Sequence, residues 1–152
     1  MTTTETTASP SQAPTRPALT GIHHVGLTVT DVEASAAWYQ QMLGLHREFD
    51  EPHHRSDQGG RAIVLCTADR SVSVGLDHHP ANRGEGFDPT RTGLDHACFQ
   101  VASVDELHAW ATHLDIEGIH NSGVYAMEAM PISLVTFHDP DGIQLELIAF
   151  HA

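Results

Sequence analysis

Two stretches, HVGLTVTDVEASAAWYQQML (24–43) and HACFQVASVDELHAWATHLD (96–115), align without a gap at an offset of 72 residues. His24 matches His96, Val29 matches Val101, Val32 matches Val104, Ala37 matches Ala109 and Trp38 matches Trp110. An internal repeat makes each copy a supersecondary unit of its own, so it governs the reading of the rest of the chain. Both copies change periodicity at the same point. Residues 22–29 and 94–101 alternate as strands, and Asp31 and Ser103 then stand where a side-chain oxygen can accept the first free N–H groups of a helix. The helices are predicted over 32–43, with Val32, Ala36, Tyr39 and Leu43 on the apolar face, and over 104–115, with Leu107, Trp110 and Leu114.

Outward from the repeat, strand candidates follow each helix: 45–51, 62–66 and 72–76 in the first half, 118–125, 132–137 and 143–150 in the second. The last two are joined by His138-Asp139-Pro140-Asp141-Gly142, where Pro followed by Asp-Gly marks a turn. The fold class is therefore α+β, with two βαβββ modules over about 20–80 and 92–150. One four-stranded sheet covered by one helix leaves its other face open, and two such modules together can enclose a cleft. Residues 1–19, MTTTETTASPSQAPTRPAL, lack apolar periodicity and read as a disordered arm.

Composition narrows the function. The 152 residues carry 20 acidic and 7 basic side chains for a formal charge of -13, and every basic residue is Arg. Scattered single arginines do not make the cationic surface that a nucleic-acid backbone requires, so no nucleic-acid partner is expected. No run of about 18 apolar residues is present, so no membrane span is expected. Cys66 and Cys98 lie in apolar stretches without CxxC spacing and read as buried thiols of a reducing, cytoplasmic compartment.

Strand alternation puts His24, Gly26 and Thr28 on one face of the first strand and His96, Cys98 and Gln100 on the equivalent face of its repeat. Gln144, Glu146 and Ile148 share a face of the last strand. Two imidazoles and a carboxylate suit Fe, Mn, Ni, Co or Zn as divalent ions and leave coordination positions open. A lone strand histidine can equally be structural, and Glu146 can equally be the solvent-facing residue of an amphipathic strand.

HHVGLTVTDVEASAAWYQQMLGL (23–45), GLDHACFQVASVDELHAWATHL (93–114) and the closing FHDPDGIQLEL (137–147) resemble the vicinal oxygen chelate superfamily, which includes glyoxalase I, fosfomycin-resistance enzymes, extradiol dioxygenases and bleomycin-resistance proteins. The resemblance spans residues 21–150 and implies a glyoxalase-like open barrel with one divalent metal per site, held by His24, His96 and Glu146. It also implies a homodimer. Glyoxalase-I-like members supply a fourth ligand from the last strand of the first module, where SVSVGLDHH (71–79) has Gly75. A fosfomycin-type phosphonate grip would need basic residues that this chain largely lacks.

The implied activity is Lewis-acid chemistry on a small molecule chelating through two adjacent oxygens, as a lyase, isomerase, transferase or dioxygenase. The alternative is a bleomycin-resistance-like protein that sequesters a small molecule or antibiotic. Glu146 and His138 are the candidate catalytic residues, His138 being alternatively a surface turn residue. Thr28, Gln100, Tyr125 and Met127 are candidate substrate contacts, with Met130 beside them, although Tyr125 and the methionines can equally be ordinary packing. His78 and His79 fall near the cleft mouth, and His53 and His54 read as solvated.

Overall fold

The computed structural model describes residues 18–53 and 59–151; the arm expected over 1–19 lies outside them except for Ala18 and Leu19. The first module runs β1 (Val25–Thr28), α1 (Val32–Leu43), β2 (His46–Pro52), β3 (Arg61–Cys66) and β4 (Ser73–His78). The second runs β5 (Ala97–Gln100), α2 (Val104–Ile116), β6 (Tyr125–Ala126), β7 (Ile132–His138) and β8 (Gln144–Phe150). Each module forms a four-stranded sheet of the same topology, β1-β4-β3-β2 and β5-β8-β7-β6, with its first and last strands parallel. The sheets do not close on each other into a barrel.

Local chemistry sets the helix ends. Asp31 accepts from the N–H groups of Glu33 and Ala34, and Gly44 ends α1 in the left-handed region that glycine enters without a Cβ penalty. Ser103 accepts from the N–H of Glu106, while the Glu106 carboxylate accepts from the N–H of Ala102, so both ends of this short segment hold its free donors. On α1 the buried positions are Val32, Ser35, Ala36, Tyr39 and Met42, one face at helical spacing. Leu43, expected on that face, is only half-buried, and Met42 takes its place.

Two further expectations are corrected. Of the predicted strand 118–125 only Tyr125 lies in a strand, the short β6; before it Asn121 makes an isolated bridge to Phe137, and the Asn121 and Ser122 side chains bond nearby backbone groups, so no continuous ladder forms. Cys66 is buried, but Cys98 is exposed, since it lies on the face of β5 turned away from the core.

The helix-bearing faces of the two sheets share one core. Leu27, Val29, Ile63, Leu65 and Leu76 of the first module join Leu107, Val135, Phe137, Leu145 and Leu147 of the second. Trp38 of α1 lies 6.4 Å from the Phe137 ring of β7. The β7–β8 turn ties the modules further. Asp139 accepts from the Tyr39 hydroxyl at 3.0 Å, and Asp141 accepts from the Thr30 N–H, the Thr30 hydroxyl and the Ser35 hydroxyl. Because the helix sides face inward, the opposite sheet faces, which carry His24 and Glu146, stay open. Among the described residues no helix is long and apolar enough to cross a membrane.

Candidate metal centre on the open sheet faces

His96 immediately precedes β5 and Glu146 lies in β8, where Cys98 and Glu146 are direct parallel partners. This register brings His96 Nε2 to 3.6 Å from Glu146 Oε2. Both groups are held from behind. Asp95 Oδ1 lies 2.7 Å from His96 Nδ1, and the Gln144 amide donates to Glu146 Oε1 at 3.0 Å. A carboxylate on Nδ1 fixes the imidazole orientation and leaves Nε2 directed outward, the arrangement metal-binding histidines use.

The first module repeats half of this pattern. His24 precedes β1, and its Nδ1 lies 2.9 Å from Nδ1 of His23, the residue equivalent to Asp95. Gly75 pairs with Gly26 as Glu146 pairs with Cys98, so Gly75 is the structural equivalent of Glu146. An added Cβ at Gly75 would meet His24 Cδ2 at 3.5 Å, an ordinary contact. Among the described residues, the one group of three or more His, Cys, Asp and Glu side chains with ligand atoms mutually within 4.8 Å is His46, Glu48 and Cys66. His24 therefore does not meet the His96–Glu146 pair at ligand distance within one chain.

The remaining candidates occupy the same open faces. Thr28 is exposed opposite Asp77, and Gln100 is exposed opposite Ile148. His138 is exposed at the end of β7, paired with Gln144, while Thr136 directly faces Glu146. Tyr125 pairs with Leu134 and is 44% exposed; Met127 and Met130 follow it, also exposed. Cys98 sits beside Glu146, where partial shielding from solvent and then the carboxylate charge push its thiol up to about 11.

His53 corrects the sequence reading: it is 4% exposed, not solvated. Its Nε2 lies 3.4 Å from Asp77 Oδ1, and its ring meets His79 edge-on at 4.5 Å. His54 lies outside the described residues. A hollow of about 300 Å³ is lined by His24, Glu51, Ala62, Val64, Gly75 and Asp77, placing the Asp77 carboxylate in the same hollow as His24. Sequence reasoning missed Asp77. The alternation of Ser73, Gly75 and Asp77 along β4 carried that signal.

Arginines are largely committed elsewhere. Arg47 and Arg61 bridge Glu33 of α1 and Asp50 of β2, Arg70 holds Glu48, and Arg91 lies near Glu85 and Asp88. These pairs hold both guanidiniums of the Glu33–Asp50 network above, and both carboxyls below, their ordinary ranges.

Paired βαβββ modules with histidine and carboxylate donors on their open faces define a class of fold and site. The matching family model, covering residues 21–147, is the Glyoxalase/Bleomycin resistance protein/Dioxygenase superfamily, and the chain belongs to it. It is 27% identical over 137 residues to the uncharacterized protein YwkD of Bacillus subtilis, covering 85% of this chain and 96% of that protein. A glyoxylase/bleomycin resistance protein/dioxygenase domain from Frankia superposes with a TM-score of 0.77 at 26% identity, over 88% of this chain and 100% of that one. The fosfomycin resistance protein FosX of Listeria monocytogenes, solved with Mn(II) and sulfate, shares the fold with a TM-score of 0.60 at 16% identity, over 87% and 93% of the two chains.

Proposed function

We propose that the chain is a divalent-metal-dependent enzyme, with glyoxalase- or dioxygenase-like chemistry, whose site is completed between two copies. The ligands are His24 of one copy and His96 and Glu146 of the other. The observation that carries this reading is the Asp95–His96···Glu146–Gln144 relay, in which donors for a metal are held in place by groups that do not face it. The inward-facing helix sides support a site shared between copies, because the open faces that bear His24 and Glu146 cannot face each other across the shared core. A homodimer that apposes these faces would bring the three donors together.

The donor set of two imidazoles and a carboxylate fits Fe, Mn, Ni, Co or Zn. Such an ion supplies Lewis acidity toward two adjacent oxygens of a small-molecule substrate. The chain's own groups do the rest. Asp77, steadied by buried His53, lines the same hollow as His24 and is a candidate to accept a substrate proton, and His138 is a second acid-base candidate from the other module. Thr28 and Gln100 can orient substrate oxygens, while Tyr125 and Met127 can cover its apolar part. Among the described residues no arginine lines the hollow of His24, Glu51 and Asp77, so an uncharged substrate fits it better than a phosphonate. Two free thiols accord with a cytoplasmic setting.

Metal analysis of wild type, His24→Ala, His96→Ala and Glu146→Gln, each loaded with Mn(II), tests the reading. Each variant is expected to lose Mn(II) and turnover together, and full occupancy in all three would refute the ligand set. The exposed Tyr125, Met127 and Met130 favour one rival, sequestration of a small molecule. Ligand binding that survives Glu146→Gln unchanged would select it.

A further inference from the structure

We infer that His46, Glu48 and Cys66 form a second metal site, suited to Zn(II), separate from the His24, His96 and Glu146 set. His46 and Cys66 are direct partners across the β2–β3 ladder, so their side chains leave the sheet on the same face. The ladder then shifts register between Arg47 and Phe49, leaving Glu48 as the extra residue of a bulge. That bulge turns Glu48 toward the pair. His46 Nε2 lies 3.6 Å from Cys66 Sγ, and Glu48 Oε2 lies 3.6 Å from the same sulfur.

These separations have a specific meaning. With a zinc–sulfur bond of about 2.3 Å and zinc–nitrogen or zinc–oxygen bonds of about 2.0 Å, a tetrahedral centre sets its S···N and S···O edges at about 3.5–3.6 Å. The two separations that involve the sulfur thus match a zinc centre before a metal binds, and all three ligand atoms lie within 4.8 Å of one another, with a fourth position left for water or another small ligand. Thiolate, imidazole and carboxylate together favour Zn(II) over the hard ions that oxygen-only sites take. Binding displaces the Cys66 thiol proton, which leaves to the buffer, and forms the zinc–sulfur bond.

Glu48 is also held from behind. Arg70 donates to its other oxygen, Oε1, leaving Oε2 facing the sulfur. Arg70 is the one described non-glycine residue in the left-handed region, with φ of 59°, within a Thr67–Val72 turn closed by the Asp69 carboxylate. Arg70 is a positioning residue. The site shares the open face of the first sheet with His24, but in the order β1-β4-β3-β2 the Cys66 strand is two strands from that of His24. Two strand spacings amount to roughly 10 Å, too far for both sites to share one ion.

The test uses full-length protein stripped of metal and titrated with Co(II) and Zn(II), in wild-type and Glu146→Gln backgrounds. A thiolate-to-cobalt charge-transfer band is expected in both, with one Zn(II) per chain retained in Glu146→Gln. Cys66→Ser and His46→Ala are each expected to abolish the band and weaken Zn(II) binding at least about a hundredfold, more than loss of a supporting group causes. Cys98→Ser, which changes the other thiol, leaves the band unchanged. No band in wild type, a band that survives Cys66→Ser, or a band lost in Cys98→Ser would overturn the proposal. His46 is exposed, so His46→Ala gives the same readout should Cys66→Ser fail to fold. A fall from two Zn(II) to one in Glu146→Gln with the band intact concerns only the first site, whereas loss of both ions there would overturn the second, so the two readings fail separately.

Discussion

Gly75 holds in the first module the place that Glu146 holds in the second: each lies on the last strand of its sheet, paired with the residue two positions beyond the module's histidine. The first module thus presents an imidazole without a carboxylate at the position equivalent to Glu146. Space exists for one, since the nearest atoms to a Cβ at Gly75 would be His24 Cδ2 and nearby backbone at 3.5–3.8 Å. Gly75→Glu is expected to tighten Mn(II) binding at least about tenfold, or about 1.4 kcal/mol, by adding a fourth donor. Competition with a metal indicator checks this, and unchanged affinity would place His24 outside the site.

The Tyr39–Asp139 hydrogen bond joins α1 of one module to the closing turn of the other, and both groups are buried. Burial, and then the Asp139 charge, push the Tyr39 hydroxyl above its ordinary range, so it stays a donor. Tyr39→Phe is expected to cost about 1.5–3 kcal/mol, the range for a hydrogen bond to a charged partner. Denaturant unfolding measures it, and a loss under about 0.5 kcal/mol would show that the tie contributes little.

Gly60 is a position where size rather than φ decides. A Cβ there would lie 2.8 Å from the His78 carbonyl oxygen and 2.9 Å from His53 Cβ. Gly60→Ala therefore forces β3 away from β4 and displaces His53, at an expected cost of about 1–3 kcal/mol. Thermal unfolding reads the stability. A chemical-shift change at His53 without one at His138 would localise the effect.

Asp69 accepts from the Thr67 hydroxyl and from the Ser71 N–H and hydroxyl, which lowers its carboxyl from 3.8 to about 2. A carboxyl lowered on folding contributes stability that is fully present above the unfolded value and lost as pH falls through the folded one. The stability difference between wild type and Asp69→Asn is thus expected to be constant above about pH 5 and to shrink progressively between pH 4 and pH 2. Urea titrations at several pH values test this, and a difference independent of pH would contradict it.

What the sequence disclosed was what is locally encoded. The β1–α1 and β5–α2 openings were legible because a change of period and a capping side chain, Asp31 or Ser103, coincide in each. The Asp-Pro-Asp-Gly turn was legible too, but its role as a tie to Tyr39, Thr30 and Ser35 was not, since those partners are about 100 residues away. The Glu48 bulge has no one-dimensional signature, so the His46–Glu48–Cys66 group stayed hidden. Burial of His53 follows from packing against β4, which alternation near a Pro and a Gly-Gly pair could not reveal.

The most direct test of a metal centre shared between two copies mixes two inactive variants. His24→Ala and Glu146→Ala, each unable to hold Mn(II) alone, are combined and allowed to exchange subunits, and bound Mn(II) is measured by electron paramagnetic resonance. In a mixed dimer one site carries both substitutions and the other carries neither, so the account predicts one Mn(II) per heterodimer. No recovery of Mn(II) on mixing, with heterodimers formed, would place the whole site within a single chain and contradict it.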